Sequence, residues 1–327
     1  MKRRVPLSLL AIALLGSSAL VHATEIALHN DIDGDGRSDL VWRNATTGAI
    51  VYWSGANAAN STSVVVNEAR NLPADFKLGA MSLKGAYSEY GATRAQLLLV
   101  DTSGDYVALQ FDYGRGHGFL AYPEMAYSPE WVLSGMADFG GDGDSEFVFR
   151  NARTGENMLS AWGWDERTVV PLASASNAAW VIAGVADFDG DGNPDLLWRN
   201  RTTGADVMWR SADVASTVTM PTVSLAWKVA AVGDFNGDKR ADIVWRNTAT
   251  GANAIWYSGQ HATARALTAV TDQHWQITAI GDFDGDGIFD LFWRNSATGA
   301  DIIWRSANSG TRMAVTSVTH VAWTTVM

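Results

Sequence analysis

The sequence predicts an all-β fold: a closed ring of six small four-stranded antiparallel sheets, with seven as the alternative. Three observations carry this. A segment of about 48 residues recurs along the chain, each copy reads as four short strands, and no window shows a convincing helical period. The segment opening at Trp180 (WVIAGVADFDGDGNPDLLWRNRTTGADVMW) returns at Trp227 (WKVAAVGDFNGDKRADIVWRNTATGANAIW) and at Trp275 (WQITAIGDFDGDGIFDLFWRNSATGADIIW). Earlier copies start at Glu130-Trp131 and at Asp31, the latter preceded by Glu25–Asn30 as its opening strand, with Thr24 in the tryptophan's place. The leading aspartates Asp138, Asp187, Asp234 and Asp282 are 49, 47 and 48 residues apart, and Asp31 precedes Asp138 by 107, about two periods. A degenerate copy therefore belongs between them, with Leu83 in the aspartate's place and the run from Gln96 as its next strand. That makes six units and a single domain over residues 24–327.

Within a unit, VIAGVAD, DLLWRN and ADVMWR are three apolar-rich strands, and a Thr/Val stretch such as Ser216–Val223 is the fourth. The second and third are joined by N-x-x-T-G, where Asn bonds its own turn backbone and Gly accepts a positive φ. Short antiparallel sheets at this period read as propeller blades, because radial stacking covers their faces and leaves only short edges. Closure is legible too. The first unit lacks its opening tryptophan, and the chain ends on Trp323-TTVM, an opening strand cut short that should lie against the first blade.

Ahead of the repeats, residues 1–23 form a basic start (Lys2, Arg3, Arg4), an apolar run and a Val21-His22-Ala23 ending. This pattern reads as an export signal cleaved after Ala23. The expected location is secreted or periplasmic, with no membrane span once the signal is removed. The full chain has 35 acidic and 24 basic residues, and loss of the leader takes the net charge from −11 to −14. So acidic a chain repels phosphate backbones, which sets nucleic acid aside as a partner. The absence of cysteine excludes disulfides, thiolate metal sites and a Cys nucleophile.

The acid is concentrated in one place. The first and second strands of most units are joined by D-x-D-x-D-G-x-x-D: Asp31, Asp33, Asp35 and Asp39; Asp187, Asp189, Asp191 and Asp195; Asp282, Asp284, Asp286 and Asp290. Four carboxylates in nine residues repel one another unless a cation takes their oxygens. The expected donors are positions one, three, five and nine, with the backbone carbonyl of position seven (Arg37, Asn193, Ile288). Calcium suits this many oxygens better than the stricter octahedron of magnesium. The fifth unit offers Asp234, Asn236, Asp238 and Asp242 with the Arg240 carbonyl, but has Lys239 in place of a glycine. The third keeps Asp138, Asp142 and Glu146 with the Asp144 carbonyl, but has Gly140 at position three. The second has lost the cage. The expectation is three strong calcium sites, one probable and one weak. An EF-hand is excluded, since its position-twelve Glu is replaced by Trp42, Trp198 or Trp293 inside a strand.

The signature DFDGDG…D(L/I)xWRN resembles the FG-GAP (VCBS-type) repeats of the integrin α-subunit propeller and its bacterial relatives, over essentially the whole mature chain. The resemblance implies calcium in the hairpin loops and a role in adhesion or ligand recognition, with Lys239, Gly140 and the second unit as departures.

Thirteen of the fifteen tryptophans fall at repeat positions and are expected to pack between blades. Arg43, Arg150, Arg199, Arg246 and Arg294 follow the position-nine acid by four residues and are expected to partner it. The candidate ligand surface is what breaks the repeat: Trp162 and Trp164, and in the second unit Tyr87, Tyr90, Tyr113, His117 and Tyr122. The ligand class is a glycan or a protein. The histidines share no spacing and no catalytic motif is present, so an enzyme acting on polysaccharide and a scaffold of an extracellular complex are the alternatives to a binding module.

Overall fold

The structure, a computed structural model, describes residues 31–33, 35–66, 77–82, 96–100, 105–112, 118–121, 125–126, 130–141, 145–162, 167–175 and 177–325. The export signal, Thr24–Asn30, Asp142, Asp144, Trp164 and the second unit's Tyr87, Tyr90, Tyr113, His117 and Tyr122 lie outside the described residues.

The described residues are strands joined by turns and short 3-10 segments. Four units form the expected four-stranded antiparallel sheet, for example Trp180–Ala186, Asp195–Asn200, Asp206–Trp209 and Thr217–Met220. Each second strand is buried along almost its full length, as in Asp195–Asn200 and Asp290–Asn295, because neighbouring blades cover both of its faces. In each first strand the register shifts at a bulge, between Ile182 and Gly184 and at the equivalent place in the other three units. There Gly184 meets Val232 of the next blade so closely that a Cβ would stand 2.8 Å from it.

The blade count differs from the expectation. Hydrogen bonding divides the described strands into five sheets, hence five blades rather than six or seven. The first two units share one nine-stranded sheet, because the outer strand Ser61–Val66 pairs in parallel with Gly118–Ala121 (Val65 opposite Gly118, Val66 opposite Phe119). Outer strands present unpaired N–H and C=O groups. Whether two of them join laterally leaves no trace in a repeat pattern.

Closure follows the sequence. Trp323–Thr325 pairs antiparallel with Leu40–Asn44, placing Asn44 opposite Trp323 and Trp42 opposite Thr325, so the C-terminal strand completes the first unit. The core lies between blades. Trp42 (0% exposed) packs with Trp53 and Phe292 in a cluster joining the first and sixth units, and Trp198–Trp209, Trp245–Trp256 and Trp293–Trp304 repeat the pair at 4.6–5.1 Å.

Candidate metal centre

Each acidic loop is shaped by its own first aspartate. Asp282 accepts from the N–H groups of Gly285, Asp286 and Gly287 at 2.7–3.0 Å, and Asp187 from those of Gly190 and Gly192. This fold of the loop requires positive φ at positions four and six, which glycine supplies at Gly190 (78°) and Gly192 (88°). Lys239 adopts 64° at position six of the fifth loop, a conformation that costs an L side chain about 1 kcal/mol or more.

The ninth acid is the buried member. Asp195 accepts from the Phe188 N–H at 2.8 Å and the Ser211 N–H at 2.7 Å, and Asp39, Asp242 and Asp290 repeat both bonds. Burial pushes the carboxyl of Asp39 up to about 8, of Asp195 to about 6, and of Asp242 and Asp290 to about 7, with nearby loop aspartates adding to the rise. Buried and crowded by like charge, an ionised carboxylate here calls for a cation.

Three loops bring three acids together. Oxygens of Asp31, Asp33 and Asp39 lie within 4.8 Å of one another, as do those of Asp187, Asp189 and Asp195, and of Asp282, Asp284 and Asp290. These are the three loops expected to be strong, and their triplets can hold a metal ion. In the sixth unit Asp284 Oδ1 is buried with no hydrogen-bond partner. An all-carboxylate donor set with an unsatisfied oxygen fits a hard cation.

The fifth position stands outside each triplet. Asp35, Asp191 and Asp286 instead accept from the N–H of Arg37, Asn193 and Ile288, and Asp35 and Asp191 also from the hydroxyls of Ser54 and Ser211. In the fifth loop Asp238 accepts from Arg240, Asn236 and Ser258, and Asp234, Asp238 and Asp242 form no triplet, consistent with Asn236 replacing an acid. In the third loop Asp138 and Glu146 accept from Gly141 and Phe139, while Asp142 lies outside the description.

Two features of the site escaped the sequence reading. The turn after the third strand carries two consecutive left-handed residues, Ser211 and Ala212 (48° and 54°), repeated at Gly55–Ala56, Ser258–Gly259 and Ser306–Ala307. This turn presents the N–H that the ninth acid accepts. In two units it also aims an arginine at position three: Arg210 lies 3.2 Å from Asp189, and Arg305 lies 3.2 Å from Asp284. The recurrence of W-R-S-A at Trp209 and Trp304 was the available signal.

The loops also interlock around the ring. The N–H at position eight donates to the position-one carbonyl of the preceding unit: Ala241 to Asp187, Phe289 to Asp234, and Ser38 to Asp282, at 2.7–2.8 Å. Position seven lies against the preceding unit's position-four glycine, Arg240 on Gly190, Ile288 on Gly237 and Arg37 on Gly285. At the junction of units three and four the eighth residue is Pro194, which has no N–H to give.

The repeated arginines do not partner the ninth acid as expected. Arg199 reaches along the blade to Asp206 on the third strand, donates to the carbonyls of Val223, Ser224 and Trp227, and lies 5.0 Å over the Trp245 ring of the next unit. Arg150, Arg246 and Arg294 stack likewise on Trp198, Trp293 and Trp42. They staple blade to blade. The ninth acid accepts from backbone N–H groups of its own loop and turn, and the guanidinium reaches away from it. Among the candidate ligand residues, Trp162 ends the strand Asn157–Trp162.

With the repeats, the loops and the ring in place, comparison with known proteins bears on the fourth to sixth units. The model of FG-GAP-like repeats matches residues 187–245 and 234–293. Residues 187–293 are FG-GAP-like repeats. No curated protein matches it. Among solved structures, the FG-GAP propeller is similar to AofleA from Arthrobotrys oligospora, at 14% identity over 88% of this chain and 84% of that one, with a TM-score of 0.50. It is also similar to BBS1N in its complex with ARL6DN, at 11% identity over 90% and 89%, with a TM-score of 0.49. At 14% identity the likeness to AofleA concerns the fold alone. The FG-GAP propeller is consistent with a binding module.

Proposed function

We propose that this protein is a secreted, calcium-stabilised propeller that serves as a binding and adhesion module for a glycan or protein ligand. The observation that carries the reading is the threefold recurrence of an aspartate triplet, positions one, three and nine, at one place in the repeat. Calcium would be held by Asp31, Asp33 and Asp39, by Asp187, Asp189 and Asp195, and by Asp282, Asp284 and Asp290, with the fifth loop weaker. Bound there, the ion supplies positive charge and no covalent chemistry. Its effect is on shape, because each triplet joins the loop to the strand that follows it, and the interlock passes the constraint to the next unit. The basic and apolar leader supports export to a compartment where calcium is abundant. Among the described residues no helix is long and apolar enough to cross a membrane. No recognisable catalytic motif supports an enzyme, and the net negative charge disfavours nucleic acid.

The test is thermal unfolding of the purified chain in chelator, followed by return of calcium or magnesium. A site held at 100 times its dissociation constant adds about 2.7 kcal/mol, so calcium should raise the Tm by several degrees and magnesium by less. Identical melting in all three conditions would overturn the calcium reading. A glycan array probed with and without calcium then tests the ligand class.

A further inference from the structure

The junction that closes the ring differs chemically from those it repeats. At three junctions the arginine of one unit donates to the carbonyl of the next unit's opening tryptophan: Arg150 to Trp180 at 2.9 Å, Arg199 to Trp227 at 2.9 Å, and Arg246 to Trp275 at 3.0 Å. At closure Arg294 donates to Gly299, Asp301 and Val318, and among the described residues it makes no bond to the Trp323 carbonyl. A cavity of about 130 Å³ opens at that place, with Arg294 and Trp323 in its wall.

The rest of the lining is hydroxyl-rich. Gln276, Thr278, Ser296, Thr324 and Thr325 contribute neutral polar groups, and Val321 stands 53% exposed beside the half-buried Trp323. Thr278 Oγ1 is buried in this wall with no hydrogen-bond partner. Its counterparts in the fourth and fifth units are Ala183 and Ala230, and the third unit's Ser134 donates its hydroxyl to the Val132 carbonyl, so among these units the buried, unpartnered hydroxyl occurs at this junction. A buried hydroxyl left unsatisfied costs about 1–3 kcal/mol. Thr324 and Thr325 spend their protons on the Arg43 and Thr278 carbonyls and keep oxygen lone pairs for an incoming donor. The one cation is already neutralised, since both oxygens of Asp301 lie 2.8 Å from Arg294.

We propose that the cavity is a binding site for a neutral, polyhydroxylated small ligand, a single sugar ring presented as a monosaccharide or glycan terminus. Neutral donors and acceptors beside an apolar rim suit a ring with hydroxyls on its edge and C–H groups on one face. A paired guanidinium offers little to an anion. The volume equals roughly four waters, too small for a drug-sized ligand and sufficient for part of one sugar ring. The proposal deepens the binding-module reading by naming a site and a ligand class, and it does not depend on the cation loops.

The experiment is saturation-transfer NMR and calorimetry of the full chain with a panel of methyl glycosides, and with inorganic phosphate as the anionic comparison, in calcium and in chelator. At least one neutral glycoside should bind in both conditions. Thr278→Val, which keeps the shape and removes the hydroxyl, should weaken it at least tenfold while the Tm holds, and Ser296→Ala on the exposed side gives a second reading should the first variant unfold. Three results would overturn the site: phosphate binding in preference, glycoside binding unchanged in both variants, or no glycoside binding at all. A chain that melts lower in chelator yet binds no glycoside leaves the calcium reading standing and removes this one.

Discussion

Lys239 marks what a single residue does to an acidic loop. Its counterparts Gly36, Gly192 and Gly287 take positive φ freely, whereas Lys239 holds 64° with its N–H donated to Asp234 at 2.7 Å. That hydrogen bond and its neighbours from Asn236 and Gly237 keep the loop in shape despite the side chain. Lys239→Gly relieves the backbone and removes an ammonium from beside the carboxylates. The expected outcome is stabilisation of about 1 kcal/mol, offset in part by the greater freedom of glycine in the unfolded chain, with tighter cation binding in the fifth loop. Calorimetric titration with calcium checks it, and an unchanged isotherm would show that the missing acid at Asn236 alone sets the weakness of this loop.

At the scale of elements, the arginine staples divide into two kinds. Arg199 and Arg294 face aspartates, Asp206 and Asp301, whose side chains are fully buried, while Arg150 and Arg246 face asparagines, Asn157 and Asn253. Burial raises the carboxyls of both aspartates, and the guanidinium opposes that rise. Removing one partner of a buried ion pair strands the other and costs about 3–5 kcal/mol. Losing a cation–π contact costs about 0.5–2 kcal/mol. Arg199→Met should therefore lower stability markedly more than Arg246→Met, and adding Asp206→Asn to Arg199→Met should recover part of the loss. Equal effects in denaturant unfolding would mean that stacking and carbonyl bonds, rather than the ion pair, hold the blades together.

The whole molecule depends on a short strand at its end. Trp323–Thr325 supplies the first unit's innermost strand, and Ala45 donates to the Ala322 carbonyl beside it. A chain ending at His320 loses those ladder bonds and the Trp323 contact with the cluster around Trp42. We expect its Tm to fall by on the order of 10 °C, with calcium recovering only part of the loss, because the loops lie elsewhere in the repeat. Melting indistinguishable from the full chain would show that the ring does not need this closure.

Much of this architecture is written in local chemistry. The 48-residue period, the Asn-x-x-Thr-Gly hairpins, the tryptophan register and the closing strand are legible in the sequence, because each depends on residue type at a fixed spacing. The three aspartate triplets were legible for the same reason, since acids at positions one, three and nine of one loop meet wherever its glycines allow the turn. Only the tertiary structure decided the rest. The merger of two units into one sheet rests on outer strands meeting sideways, and the fate of the arginines on which neighbour's indole and carbonyl lies in reach. The position-five aspartates were claimed by backbone N–H groups of their own loop. Such outcomes are set by competition between partners in space, which spacing along a chain does not rank.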